Sequence, residues 1–182
     1  KFLGGVVGVR LIKELRGEPT MDIEEELVNK KMIATTRMFG SPVGNIGDIK
    51  EAVATYTSRA AEKLRRQYSA ARIVSVFVVT KDQDHMLNFK KHGTISTFTT
   101  LPTATSFTNE LIKPAVELVD ELFEEGQLYK KAGVMLSGIV PDSSIQGNLF
   151  MPETSNCGRK LMDMIDNINF SQRDDVIKFA AS

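Results

Sequence analysis

Between Arg72 and Thr80 the chain reads RIVSVFVVT, and no other stretch limits its fold so strongly. A nearly continuous β-branched and aromatic run of this length reads as a buried strand, and so as part of a sheet. Three further strands are expected around it. Residues 31–39, KMIATTRMF, are closed by Gly40-Ser41-Pro42. Residues 94–101, TISTFTTL, carry an unusual load of threonine, and residues 130–139, KKAGVMLSGI, make the fourth.

Two amphipathic helices separate these strands. Over residues 46–68, Ile46, Ile49, Val53, Tyr56, Ala60 and Leu64 recur at three- and four-residue steps, which is one helical face. Arg59, Lys63 and Arg66 form a stripe beside it, read most simply as a solvated helix face. Over residues 109–125, Ile112, Ala115, Val119 and Leu122 point inward, and Glu117, Glu121 and Glu124 point to water. Pro114 predicts a kink or an irregular start there. The order is β-α-β-β-α-β, an α+β, ferredoxin-like arrangement. Both helices can cover one face of a four-stranded sheet, and the open face is then a natural docking surface. A helix over residues 6–16 precedes this unit, stopped by Gly17 and Pro19. A short helix over residues 158–169 follows it, with Leu161, Ile165 and Ile168 on one side. Asp175 to Ser182 read as a short extended piece.

The 182 residues suffice for one domain with extensions. No stretch approaches the roughly 20 apolar residues of a membrane span, and no signal-peptide pattern occurs. The single cysteine, Cys157, excludes an internal disulfide and suits a reducing compartment, so a cytoplasmic location is expected. The chain begins at Lys1, and a piece of something longer is expected. Net charge is zero but uneven. Residues 30–72 hold nine Lys/Arg and three Asp/Glu, whereas residues 103–125 hold six acids and one lysine. Residues 18–26 hold five acids and no base. A neutral total therefore permits local binding of a polyanion.

No catalytic constellation is visible. His85 and His92 lie in a polar loop without metal-ligand spacing, and Cys157 lacks a histidine partner. GGVVG at Gly4 to Gly8 lacks the Gly-Lys-Ser/Thr ending of a phosphate loop. Among the Ser, Gly and Pro of residues 144–152, SIQGNLFMP, an adjacent Leu149-Phe150 pair stands out. By itself the pentapeptide reads more readily as core folded back onto the domain than as a docking peptide.

Five blocks carry a specific resemblance: TTRMFG (35–40), EAVATYTSRAAEKLRRQ (51–67), YKKAGVMLSGIVP (129–141), QGNLF (146–150) and KLMDMIDNIN (160–169). In this order they resemble the C-terminal part of UmuC-type translesion DNA polymerases of the Y-family. The resemblance implies four parts. Residues 1–17 would end the thumb, 18–30 form an acidic tether, 31–140 form the little finger, and 141–182 form the C-terminal tail. The loop at 81–93 and the final SQRDDVIKFAAS depart from the pattern, and Gly138 stands where the family often has a polar or acidic residue. The palm, whose carboxylates would hold Mg²⁺ for nucleotidyl transfer, is missing. No catalysis and no cofactor are therefore expected of this piece.

The family role implies a grip on primer–template duplex through phosphates, without sequence reading. Arg37 matches the arginine of the family's Ser-Arg-Ser-Phe strand. Period-2 alternation groups it with Ile33 and Thr35, opposite Met32, Ala34 and Met38, and it is expected on the open face. Lys30, Lys31, Lys130 and Lys131 flank the outer strands as further candidates. Hydroxyls of Thr97, Thr99 and Thr100 are weaker ones. In the tail, Gln-x-x-Leu-Phe resembles the peptide with which bacterial polymerases bind the sliding clamp. Leu149 and Phe150 would fill an apolar pocket and Gln146 would make directional hydrogen bonds. With the other four blocks in register, docking becomes the preferred reading of the pair. Accessory mutagenesis subunits are a further implied partner. The competing class is a free-standing RNA- or protein-binding sheet module, against which the absence of an aromatic signature block counts.

Overall fold

A computed structural model describes residues 5–20, 29–81, 93–145, 156–172 and 176–179. In chain order the elements are α1 (Val6–Leu15), β1 (Ile33–Val43), α2 (Ile46–Arg66), β2 (Ser69–Thr80), β3 (Thr94–Thr105), α3 (Thr108–Leu122), β4 (Tyr129–Ser137), β5 (Val140–Pro141) and α4 (Asn156–Gln172). The expected β-α-β-β-α-β unit is present. Its strands lie side by side as β1-β4-β2-β3, each antiparallel to its neighbour. Each helical crossover skips one strand, so β4 separates β1 from β2, and β2 separates β3 from β4. The two-residue β5 adds a short pairing to the start of β2.

Alternation along the central strands sorts the two faces. Val74, Val76 and Val78 of β2 and Ala132, Val134 and Leu136 of β4 are buried beneath α2 and α3. Ile49, Val53, Ala60 and Leu64 of α2 and Leu111, Ala115 and Val119 of α3 meet them from above. Each fully buried aliphatic side chain stabilises the fold by about 1.5–3 kcal/mol. Asn45 caps α2, its Oδ1 accepting from the Gly47 backbone N–H at 2.9 Å.

Helix α3 is continuous from Thr108 to Leu122 despite Pro114. The irregular start expected there does not occur as a break. The proline removes one backbone donor, and the buried face from Leu111 to Leu122 keeps the helix seated. The helix also ends earlier than expected, at Leu122. The buried Tyr129 marks the end: its hydroxyl accepts from the Glu124 N–H at 2.8 Å and donates to the Leu122 carbonyl at 3.3 Å.

Helix α4 docks on this unit through a different face from the one its apolar residues suggested. Leu161 and Ile168 are exposed, whereas Met162 is buried and Ile165, Asp166 and Asn169 are half-buried. Polar anchors outweigh the apolar stripe. Asp166 forms a two-bond ion pair with Arg65 of α2, and Arg159 pairs with Asp142. Arg66 stacks over the Phe170 ring at 5.4 Å. Beyond the helix, the Asn169 side chain holds Ile177. Its Nδ2 donates to the Ile177 carbonyl at 3.0 Å, and its Oδ1 accepts from the Ile177 N–H at 2.9 Å. Helix α1 leaves Val6, Val7, Val9 and Leu15 exposed. Glu14 closes its end by accepting from Thr20 Oγ1 at 2.6 Å and from the Thr20 N–H at 2.8 Å.

Candidate nucleic-acid interface

On the sheet face away from α2 and α3, an aromatic ring packs over a glycine. Phe77 of β2 pairs with Gly133 of β4, and its ring occupies the space a side chain would take. A Cβ on Gly133 would lie 2.4 Å from Phe77 Cζ and 2.8 Å from Thr36 Cβ. The Lys131 ammonium stands 5.9 Å from the centre of the same ring, within cation–π range. Around this pair the register places Thr36 and Met38 on β1 and Ser96, Phe98 and Thr100 on β3, with Ser75 between them on β2. Among the described strand residues that alternate onto this face, Lys131 is the one charged side chain. The face thus offers a cation and several hydroxyls and no carboxylate, which suits an anionic partner.

The expected site residues separate in space. Lys131 is on the open face. Arg37 is not. It pairs with Ala132, and its companions Ile33 and Thr35 pair with the buried Leu136 and Val134, so this phase of β1 lies on the helix side. The methionine phase, with Met38 70% exposed, is the open one. Because β1 is an edge strand, Arg37 remains exposed despite lying on the helix side. Lys30 and Lys31 are exposed at the entry to β1, where the Gln67 side chain fixes the Lys30 backbone through its N–H at 3.3 Å and its carbonyl at 3.1 Å. Lys130 is half-buried at a bulge: Tyr129 pairs with Thr80 and Lys131 with Val79, leaving Lys130 as the extra residue.

Of the three expected threonines, Thr97, Thr99 and Thr100, only Thr100 shares the open face. Thr97 and Thr99 take the helix-side phase, and Thr97 donates to Glu121 of α3 at 3.2 Å. The hydroxyls of Thr36, Ser75 and Ser96 were missed, although period-2 counting from the buried Val76 would have found Ser75. Gln146, Leu149 and Phe150, like His85 and His92, lie outside the described residues. Among the described residues no cluster of His, Cys, Asp or Glu is arranged to hold a metal, and no helix is long and apolar enough to cross a membrane.

This sheet, its two covering helices and the sequence blocks on them agree with one family. A model of the impB/mucB/samB family C-terminal domain matches residues 30–149. The chain belongs to that family. Among its relatives, protein UmuC of Salmonella typhimurium strain LT2 is 36% identical over 176 residues, which is 96% of this chain and 41% of the relative. Protein MucB of Escherichia coli is 34% identical over 166 residues, covering 91% of this chain and 38% of the relative. The chain thus spans roughly two fifths of the length of these relatives. Solved structures agree on the fold. An insertion ternary complex of Dbh DNA polymerase superposes with a TM-score of 0.50 at 14% identity, over 76% of this chain and 36% of that one. A Y-family DNA polymerase chimera built on Dbh gives 0.51, also at 14% identity and with the same coverage. The family member described here therefore has the little-finger fold of a UmuC-type, Y-family polymerase.

Proposed function

We propose that this chain is the DNA-gripping and clamp-binding C-terminal region of an error-prone translesion DNA polymerase that acts in the response to DNA damage. The observation that supports the grip most directly is the open sheet face, with Lys131 over Phe77, flanking hydroxyls and no acid among its described strand residues. Lys30 and Lys31 extend the positive surface at the strand entry, Lys130 adds to it at the bulge, and Arg37 meets phosphates beyond the sheet edge. Contacts of this kind hold a duplex of any sequence, which a polymerase working on distorted template requires. Nucleotidyl transfer, with its Mg²⁺, belongs to a palm domain, and no step of it is assigned to these residues. Membership in the polymerase family disfavours a free-standing RNA- or protein-binding module.

Binding of a labelled primer–template duplex across a salt series tests the reading. Affinity should fall steeply with salt, by about 0.9 in log–log slope for each phosphate contact, and Lys131→Gln should shallow the slope by about one contact. Affinity that is unchanged between low and moderate salt would sink it. In the tail, Leu149 and Phe150 should bind the sliding clamp, with Gln146 adding directional bonds. The double change Leu149→Ala/Phe150→Ala should abolish clamp capture and leave duplex binding intact. Loss of folding instead would assign the pair to the core. Accessory mutagenesis subunits are a further partner to be tested by the same capture assay.

A further inference from the structure

A second basic surface lies on the helix side of the sheet edge. Arg37 from β1 and Arg59, Lys63 and Arg66 from α2 line one groove, together with Glu62 and Thr35. The spacing of 59, 63 and 66 puts three cations on one side of the helix. Glu62 is the groove's one acid, and it is engaged by Arg66 at 2.5 Å. Arg37 and Lys63 are exposed and have no ion-pair partner among the described residues. Positive charge is therefore in excess where the strand and helix meet.

The wall of the groove adds an independent observation. Thr35 is 8% exposed, and its Oγ1 is buried without a hydrogen-bond partner. It stands opposite Val134, between Ile33 and Arg37, where valine would fill the same space without a polar atom. Burying a hydroxyl with nothing to bond is unfavourable, and such groups are uncommon in native folds. A hydroxyl donor beside guanidinium and ammonium groups matches a tetrahedral oxyanion, which presents several acceptors and more than one charge.

We propose that the groove between β1 and α2 is an oxyanion site that takes a phosphate group. Arg37 and Lys63 supply the charge, and Thr35 turns its hydroxyl to the anion. Arg66, oriented by Glu62 and by the Phe170 ring, closes one end. The site is separate from the sheet face: Lys131 and Arg37 lie on opposite sides of the sheet. It rests on the DNA-gripping reading for only one source of phosphate, a nucleic-acid backbone that passes the sheet edge. The other source is free phosphate or pyrophosphate.

Amide NMR of the isotopically labelled chain, titrated with inorganic pyrophosphate against chloride of equal ionic strength, tests the proposal. Resonances of Ile33–Arg37 and of Arg59–Arg66 should shift and saturate. Affinity should fall about tenfold or more in Arg37→Gln/Lys63→Gln and about threefold in Thr35→Val, and stay unchanged in Lys113→Gln, at an exposed position of α3. A parallel titration with a single-stranded oligonucleotide separates the sources. If the same amides shift and pyrophosphate competes, the phosphate is a backbone one. If only pyrophosphate moves them, it is a free anion. Shifts no larger than those in chloride, or pyrophosphate binding equal in wild type and Arg37→Gln/Lys63→Gln, would overturn the site. Duplex binding through the sheet face can fail or succeed without altering that result.

Discussion

Arg65 and Asp166, 101 positions apart, join through two bonds: Nε to Oδ2 at 2.7 Å and Nη2 to Oδ1 at 2.6 Å. The remaining guanidinium nitrogen donates to the Ser106 carbonyl at 2.7 Å and to Thr108 Oγ1 at 2.9 Å. One side chain from α2 thus fixes both the start of α3 and the tail helix. Its own exposure is only 9%. Asp166→Ala should weaken docking of α4 by about 1.5–3 kcal/mol, the range for bonds to charged groups. Hydrogen exchange should then accelerate across α4 while β2 and β4 keep their protection. Arg65→Lys should lose part of the same docking, because an ammonium cannot bond in the two-pronged manner.

Tyr129→Phe should lower the stability of the sheet-and-helix unit by about 1–3 kcal/mol. The ring is fully buried, so the replacement keeps the packing and removes both hydroxyl bonds at the end of α3. A urea titration should show a lower midpoint with an unchanged slope, since the surface exposed on unfolding is the same.

How far these features could be read in advance depends on how local their causes are. The strand around RIVSVFVVT was legible because its β-branched and aromatic run is nearly unbroken, and the long helix from Ile46 because one face carries most of its large apolar residues. Strand β1 was ambiguous. Both of its phases hold apolar side chains, Ile33 on one and Met32, Ala34 and Met38 on the other, so alternation alone cannot choose the buried side. Pairing with Leu136 and Val134 decides it. The tail helix misled for a related reason. Leu161, Ile165 and Ile168 make a plausible inner stripe, but the docked face is set by Arg65, which no local pattern connects to Asp166. Arg65 itself lies one residue from the buried Leu64, and that position separates it from the more exposed Lys63 and Arg66 beside it.

Gly133→Ala should force the Phe77 ring off the sheet, at a cost of about 1–3 kcal/mol for an overfilled site. Combining it with Phe77→Leu should recover part of that loss. Additive effects in the double-mutant cycle would refute the contact.

The Glu14 carboxyl is held below the ordinary glutamate value, first by the Thr20 hydroxyl and then by the Thr20 backbone N–H, with desolvation opposing weakly. The folded pKa is depressed. The contact therefore contributes above the unfolded-state pKa and is lost as pH falls through the folded one. A carboxyl-carbon NMR titration should place the Glu14 midpoint below the usual range, and Thr20→Val should move it upward.

Asn169 holds Ile177 with both ends of one amide, a donor and an acceptor facing a carbonyl and an N–H. The hold therefore depends on the side chain remaining an amide. Hydrolytic loss of the side-chain nitrogen would turn the donor into a carboxylate oxygen pointed at a carbonyl, so attraction would become repulsion without any change of shape. Such a change would free Ile177 from α4 while leaving the Arg65–Asp166 pair in place.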